Sequence, residues 1–301
     1  LAWLVWCGLN WLLTGSISAA GVQAKSEFSP ANPFWQCAIQ SALKNLHQIL
    51  LFLCGIGEGW SHYLHPGVLI FAIIGLFSCP RQGKMNGWVF SLRPWLLAGI
   101  VLFILAVSTL KSFNVHHWRY LIPLFPFLFT GIAAFAVRIS GKRKWLMLAL
   151  SAGLVVSQAI WWPRWAEDFG RECGIHYQKH YRISQWIRKN LPENARIAVN
   201  DAGMIPYFCQ RHCFDLVGLT TPGVAVPFRT GYGALAEYLE TLPPEQRFDY
   251  YVVFPSWFPS YGDLKIFGEE VHRVHDKLSP PEFEKRIFKA RWDWVSNADQ
   301  P

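Results

Sequence analysis

The sequence predicts an α-helical transmembrane bundle followed by a small extracytoplasmic α/β domain. Of the 301 residues, 52% are hydrophobic and only 16% are charged, which is more apolar than an average soluble protein. Long apolar runs fill residues 1–162, whereas charges, prolines and alternating patterns typical of a soluble fold fill residues 163–301. We therefore predict two domains that meet after residue 162.

The predicted bundle has about five spans, because a helix needs about 20 largely apolar residues to cross the hydrocarbon core. The runs that qualify are residues 66–79 with their flanks, 94–110, 120–137 and 145–162, with residues 1–20 as a fifth. Residues 42–57 are also apolar. Lys44, His47 and the glycines near Glu58 favour an interfacial helix for that stretch.

Basic residues predict the orientation of the chain. The connectors 80–93 and 138–144 carry seven Lys and Arg residues and no acid, so both are expected in the cytoplasm. The chain then leaves the cytoplasm after residue 162. We expect an integral protein of the bacterial inner (plasma) membrane with a periplasmic C-terminal domain. Residues 1–20 have neither the basic start nor the cleavage site of a signal peptide, and we expect a longer protein upstream of Leu1.

The net charge of +8 does not indicate a nucleic-acid partner, because many of the basic residues lie in the connectors between apolar runs. The seven cysteines show no metal-ligand spacing. The sequence requires no cofactor and no metal, and leaves open whether a divalent cation assists. Cys173, Cys209 and Cys213 are candidates for a disulfide in an oxidising compartment, with the pairing undetermined.

Residues 163–301 alternate between helical and strand patterns, which predicts a layered α/β domain. Helices are expected near residues 176–190, 204–210 and 233–241. Strands are expected near residues 195–199, 212–217, 250–254, 270–274 and 286–292. Asp201 and Asp215 each lie at the end of a strand, where α/β folds commonly bind ligands. Both aspartates fit an ordinary turn equally well, so a site for an acceptor and a structural role stay open for both.

Two segments resemble bacterial polytopic membrane glycosyltransferases of the GT-C superfamily. Residues 117–126, HWRYLIPLFP, resemble the entry to a late transmembrane helix in that superfamily. Residues 200–208, NDAGMIPYF, followed by residues 214–219, FDLVGL, resemble a stretch in the extracytoplasmic C-terminal domain of some members. The resemblance extends from about residue 67 to residue 294.

This resemblance implies transfer of a sugar from a polyprenyl-phosphate carrier to a glycan, lipid or protein acceptor at the outer membrane face. Arg119 would bind the lipid phosphate through its planar guanidinium, and His116, His117 and Tyr120 would add donors. An interfacial anchor among membrane lipids is the alternative role for the same residues.

The general base expected in this superfamily is a carboxylate on the first external loop. Glu27 and Glu58 are the acids of the corresponding part of this chain, and they fit a loop charge and a helix end better. The catalytic residue is therefore unknown and expected upstream of Leu1. The alternative function is a non-catalytic membrane-anchored domain that binds a glycan or a protein. A transporter is disfavoured, because the clear spans contain almost no ionisable residues.

Overall fold

The computed structural model describes residues 2–15, 17, 19–28, 34–54, 72–75, 88–114, 118–140, 144–274 and 284–294. Contacts divide these residues into two compact units. One unit contains the N-terminal residues up to Lys25 and the chain from Ala166 onward. The other contains residues 26–28 and Phe34–Trp165.

The first half of the chain is helical where it is described. Its elements are α1 (Ala2–Thr14), α2 (Ala20–Lys25), α3 (Trp35–Leu53), α4 (Trp88–Ser108), a 3-10 helix (Arg119–Leu124), α5 (Phe125–Ser140) and α6 (Lys144–His176). In the unit that contains α3, Phe52 stacks on Trp118 with 4.2 Å between ring centroids. The side-chain amide of Asn45 donates to the Ser108 carbonyl oxygen at 2.9 Å, so α3 is held beside the end of α4.

The predicted transmembrane bundle of about five spans is wrong. In the part of the chain that the structure describes, one helical segment, Arg119–Ala136, is long and apolar enough to cross a membrane, and a single such helix is weak evidence for a span. The predicted first span contains α1, whose 13 residues reach only about 20 Å. Within α4, the apolar helical stretch found over the described residues is Leu97–Ser108, which is shorter than a span.

The helix boundaries explain this error. The last predicted span was expected to end at residue 162, but α6 continues through Pro163 for 33 residues in all and includes Glu167, Asp168 and Arg171. Hydropathy locates an apolar run, but it does not determine where the helix that contains the run begins and ends. Most of the predicted span at residues 66–79 lies outside the described residues.

The second half of the chain forms an α/β fold around a five-stranded sheet. The strands are β1 (Arg196–Val199), β2 (His212–Asp215), β3 (Tyr250–Val253), β4 (Phe267–Val274) and β5 (Lys285–Ala290). Their order across the sheet is β2-β1-β3-β5-β4. β1 is parallel to β2 and β3, whereas β5 is antiparallel to β3 and β4. Each strand overlaps one of the five strands predicted from the sequence.

Helices cover both faces of this sheet. They are a π-helical turn (Tyr177–Tyr181), α7 (Arg182–Asn190), α8 (Met204–Cys209), α9 (Ala225–Thr230), α10 (Tyr232–Glu240) and α11 (Pro259–Asp263), with 3-10 turns at Pro244–Gln246 and Pro255–Trp257. Ile183 and Ile187 of α7 and Ile205 of α8 pack on one face of the sheet. Leu235 and Leu239 of α10 pack on the other. Alternate residues of each strand therefore enter two separate cores, which gives a three-layer domain.

Candidate functional site

The candidate site lies at the carboxyl ends of β1 and β3, and we call this edge of the sheet the ligand edge. The chain leaves β1 toward β2 on one side, and β3 lies on the other side of β1. Such a reversal of strand order opens a crevice beyond the carboxyl ends of the strands, where open α/β sheets bind ligands. Asn200 and Asp201 follow β1, Phe254 follows β3, and Lys285 begins the antiparallel strand beside β3.

Asp201 reaches the surface at this edge and contacts a buried histidine. Its carboxylate Oδ2 lies 3.3 Å from Nε2 of His180, and 40% of the Asp201 side chain is exposed. The pKa of His180 is lowered to about 3, mainly by burial and next by the charge of Lys285, while Asp201 acts in the opposite direction. His180 is therefore neutral at physiological pH. Because a carboxylate accepts, the geometry assigns the ring proton to Nε2, which leaves Nδ1 as an acceptor.

The π-helical turn before α7 places His180 in the domain interior. His180 stacks on His176, one turn earlier, with ring centroids 5.2 Å apart. It also meets the edge of the Phe254 ring at 6.1 Å. Turns of this kind inside α-helices recur at functional sites, because the extra residue redirects side chains. Here the turn brings a histidine of the long helix to the carboxylate that follows β1.

Lys285 is a buried amine beneath the same edge. Its side chain is fully buried, and its Nζ lies 4.3 Å from the centroid of the Phe254 ring. Burial lowers the pKa of Lys285 to about 7, with Asp201 raising it and Lys179 lowering it. Lys179 approaches the Phe254 ring as well, at 5.6 Å. Two amines thus share one aromatic ring behind Asp201, a cation–π arrangement that is stronger away from water.

Several polar atoms at this edge have no partner among the described residues. They are Nζ of Lys285, Nδ1 of His180 and both polar atoms of the Asn200 amide. Buried polar groups in folded proteins are almost always hydrogen-bonded, so an unpaired group has a structural cost. Several unpaired polar atoms near one edge of the sheet therefore mark a place with more buried polar groups than the packing of the domain uses.

Four aromatic rings on the two elements that flank Asp201 contact one another in series, and we call this group, together with Asp201, the Asp201 surface. Tyr177 stacks on Tyr181 at 5.1 Å, Tyr181 meets Phe208 edge-on at 5.0 Å, and Phe208 meets Tyr207 at 4.9 Å. Tyr177 and Tyr207 are 53% and 76% exposed. Tyr177 and Tyr181 belong to the turn that carries His180, and Tyr207 and Phe208 lie on α8, which follows Asp201.

Asp215, the second predicted site residue, is buried at the end of β2 and holds the loop that follows. Its carboxylate accepts hydrogen bonds from the backbone N–H groups of Val217, Leu219 and Thr220 at 2.7–2.9 Å. The Thr221 hydroxyl accepts from the Asp215 N–H at 2.8 Å. These contacts are those of a turn-forming aspartate. The structure therefore does not place Asp215 in the Asp201 surface.

The predicted lipid-phosphate residues lie in the other unit, at the start of the 3-10 helix before α5. Arg119 is exposed, and its guanidinium lies over the Tyr120 ring at 5.2 Å, with Nη2 3.5 Å from the Tyr120 hydroxyl. The two residues therefore form one exposed donor group. His116, His117 and Glu58 lie outside the described residues.

The three candidate cysteines are free thiols in the structure. Cys173 is exposed on α6, whereas Sγ of Cys209 and Sγ of Cys213 are 3.9 Å apart as free thiols. Over the described ranges, no group of three or more His, Cys, Asp or Glu side chains is arranged to hold a metal ion.

The residues that sequence reasoning missed are His180, Lys285, Tyr177 and Tyr207. His180 and Tyr177 fall on a continuous helical pattern, and a π-turn leaves no distinct mark in such a pattern. One sequence feature could have identified Lys285 as buried. It lies two residues before Ile287 in an alternating strand, so its side chain is on the same face of the sheet, which is the face that enters the core. In the sequence, Tyr207 stands out only as part of the NDAGMIPYF segment.

A comparison with protein families gives a match in the C-terminal part of the chain. Residues 172–298 match a protein family described as a domain of unknown function (DUF8728). This stretch contains the whole five-stranded sheet and the Asp201 surface. No curated protein and no solved structure matches the chain.

Proposed function

We propose that the α/β domain binds a glycan at the Asp201 surface, and that the protein takes part in transferring a sugar from a polyprenyl-phosphate carrier to that glycan at the outer face of a bacterial membrane. The observation that carries this proposal is an exposed carboxylate at the ligand edge of the sheet, flanked by two elements, the π-helical turn and α8, that each carry an exposed aromatic ring. Carboxylate oxygens accept hydrogen bonds from sugar hydroxyls, and flat rings pack against the apolar face of a sugar.

The contacts behind Asp201 suit recognition of a neutral, hydroxyl-rich ligand. His180 contacts Asp201 from the buried side, and the charge of Lys285 acts on Asp201 without a direct hydrogen bond, while 40% of the Asp201 side chain is exposed to a ligand. Tyr177 and Tyr207 supply large rigid rings that lose little conformational entropy when a ligand binds. A monosaccharide unit against Tyr207 would therefore combine apolar contact with a charge-assisted hydrogen bond.

Two observations support the transfer reaction and its location. The NDAGMIPYF and FDLVGL segments, which resemble the GT-C superfamily, follow β1 and include β2. In the other unit, α6 exposes Leu148, Val155, Val156, Ile160 and Trp162, each by more than half. An apolar surface of this kind suits contact with lipid, where a polyprenyl carrier is found. The catalytic base is not assigned.

Glycan binding is tested by titrating the full chain with neutral oligosaccharides of several sugar types. Asp201→Asn keeps the shape but removes the charge, so we expect affinity to fall by about tenfold or more. Tyr207→Ala removes the most exposed ring, and we expect a loss of about five- to thirtyfold.

Two variants serve as matched controls for this titration. Asp263→Asn neutralises an exposed carboxylate on α11, and Leu264→Ala truncates an exposed apolar side chain. Both should leave affinity unchanged. Equal loss in the control variants, or saccharide binding that survives both site variants, would count against the proposal. Binding of a protein partner through the same tyrosines, without saccharide binding, would favour the non-catalytic alternative.

The role of Arg119 in holding the carrier phosphate is tested separately. The full chain is mixed with neutral lipid vesicles that contain a small fraction of polyprenyl phosphate, and the bound fraction is measured by sedimentation. Arg119→Ala should lower binding several-fold, while Arg119→Lys retains part of it because the charge remains but the planar fork is lost. Lys111→Ala, which removes another exposed cation of the same unit, is the control. An equal effect of Arg119→Ala and Lys111→Ala would show general charge attraction instead.

A further inference from the structure

Cys209 and Cys213 lie close together on two adjacent elements of the α/β domain. Cys209 is the last residue of α8, and Cys213 is the second residue of β2. Gln210 adopts a left-handed backbone conformation with φ of +53°, which reverses the chain between them. As a result the two sulfur atoms are 3.9 Å apart. Cys209 is fully buried, whereas Cys213 is partly exposed.

The turn between the two cysteines is held by Arg211. Its guanidinium donates to the carbonyl oxygens of Cys209 and Gln210 at 3.3 Å. It also donates to the carbonyl oxygens of Arg188 and Leu191, at 3.1 and 2.8 Å, at the end of α7. These bonds tie the turn to the neighbouring helix, so the proximity of the two sulfurs is a property of the folded domain.

The two thiols share one hydrogen bond, which makes one of them acidic. The hydrogen bond from Cys213 lowers the pKa of Cys209 to about 7, against the effect of burial, and Arg211 adds to the lowering. The same contact raises the pKa of Cys213. A substantial fraction of the pair therefore carries one thiolate at neutral pH, and the thiolate is the form that attacks a disulfide.

We propose that Cys209 and Cys213 are a redox modification site, and that they form an intramolecular disulfide by exchange with an external disulfide such as oxidised glutathione. The bond would join the end of α8 to β2. This inference does not depend on glycan binding, although α8 also carries Tyr207 and Phe208.

The exchange proceeds in two balanced steps. In the resting pair the shared proton lies on Cys213; its transfer across the Sγ–Sγ hydrogen bond to Cys209 makes the more exposed Cys213 the thiolate, which attacks one sulfur of the external disulfide. A mixed disulfide forms at Cys213, and one external thiolate leaves. Cys209 then gives up its proton to that thiolate and attacks the Cys213 sulfur, which releases the second external thiolate. The protein thiol and thiolate are oxidised to a disulfide, and the external disulfide is reduced to one thiol and one thiolate.

Mass spectrometry of the full chain tests the proposal directly. The protein is equilibrated in glutathione buffers of increasing oxidised fraction, alkylated and digested with trypsin without reduction. Because trypsin cleaves after Arg211, Cys209 and Cys213 fall in different peptides, and the bond appears as a linked pair. We expect this pair to accumulate as the oxidised fraction rises. Cys173→Ser, which removes an exposed thiol on α6, should leave it unchanged.

Thermal unfolding provides the second measurement. Oxidation should raise the melting temperature of the α/β domain by several degrees, because the bond constrains the unfolded chain. Cys213→Ser and Cys213→Ala should both abolish this difference between oxidised and reduced protein. Cysteines that stay open to alkylation in oxidised buffer, glutathione that accumulates on Cys213 without a linked pair, or a link from Cys173 would each overturn the proposal.

Discussion

At the scale of single residues, Lys285 makes stability depend on pH. Its pKa is about 7 in the folded domain, below the ordinary value of 10.5, because burial disfavours the charged amine. Between pH 7 and 10.5 the unfolded chain therefore binds more protons than the folded one, and stability rises with pH across this window. Below pH 7 both states carry the proton, and the full cost of burying the charge remains.

We expect Lys285→Met to stabilise the domain by about 2–4 kcal/mol at pH 7 and to flatten the rise in stability toward pH 10. The measurement is urea unfolding at several pH values. Lys289→Met is the matched control, because Lys289 lies on the same strand, exposed and paired with Glu269 at 2.6 Å, and should change stability little. A pH slope that is the same in wild type and Lys285→Met would contradict the assignment.

Sequence reasoning at this scale located Asp201 at the end of a strand but not its environment. The position of a carboxylate after β1 follows from the alternation of strand and turn, which the sequence displays. The His180 contact of Asp201 depends on how a π-turn directs the ring, and the charge of Lys285 is brought near Asp201 by strand pairing between β3 and β5, so this environment joins residues far apart in the chain. No local pattern encodes those contacts.

At the scale of elements, the loop between β2 and α9 is held by one carboxylate and one close approach. Asp215 accepts three backbone N–H groups within five residues. Gly218 has φ of +79°, and a Cβ there would come within 2.2 Å of the Ala225 backbone nitrogen, so no larger side chain fits. The FDLVGL segment thus has the composition that this tight loop requires.

Asp215→Ala should destabilise the domain by about 1–3 kcal/mol, because it leaves three part-buried backbone donors without their protein acceptor. Asp215→Asn should cost less, since one amide oxygen can still accept. Guanidinium unfolding of the full chain measures both, with Asp263→Ala as a variant of an exposed aspartate that should change little. Equal stability of Asp215→Ala and Asp263→Ala would show that these hydrogen bonds do not hold the loop.

The elements themselves were largely predictable in the second half of the chain and poorly predictable in the first. Short apolar strands bounded by turn residues mark their own ends, as Gly218 does after β2. The apolar helices of the first half have no clear turn residues to mark their ends, so the sequence predicts an end at residue 162 for α6, which in fact continues to His176. Pro163 lies inside this helix and does not end it.

At the scale of the whole molecule, the two halves of the sequence differ in composition, and the prediction of a membrane bundle for the first half is wrong. An overall apolar content does not distinguish membrane-crossing helices from helices that pack on one another, as Ile49 and Phe52 of α3 do. The transfer of a sugar from a lipid carrier stays a proposal that rests on short motifs and on the Asp201 surface.

The most direct test of the central claim is hydrogen exchange of the full chain with and without a saturating neutral oligosaccharide. We predict slower exchange in peptides that cover the π-turn Tyr177–Tyr181 and residues 201–209, and no change in β5. The protection should disappear in Asp201→Asn. Protection confined to other parts of the chain, or none with any sugar tested, would contradict the claim that the Asp201 surface binds a glycan.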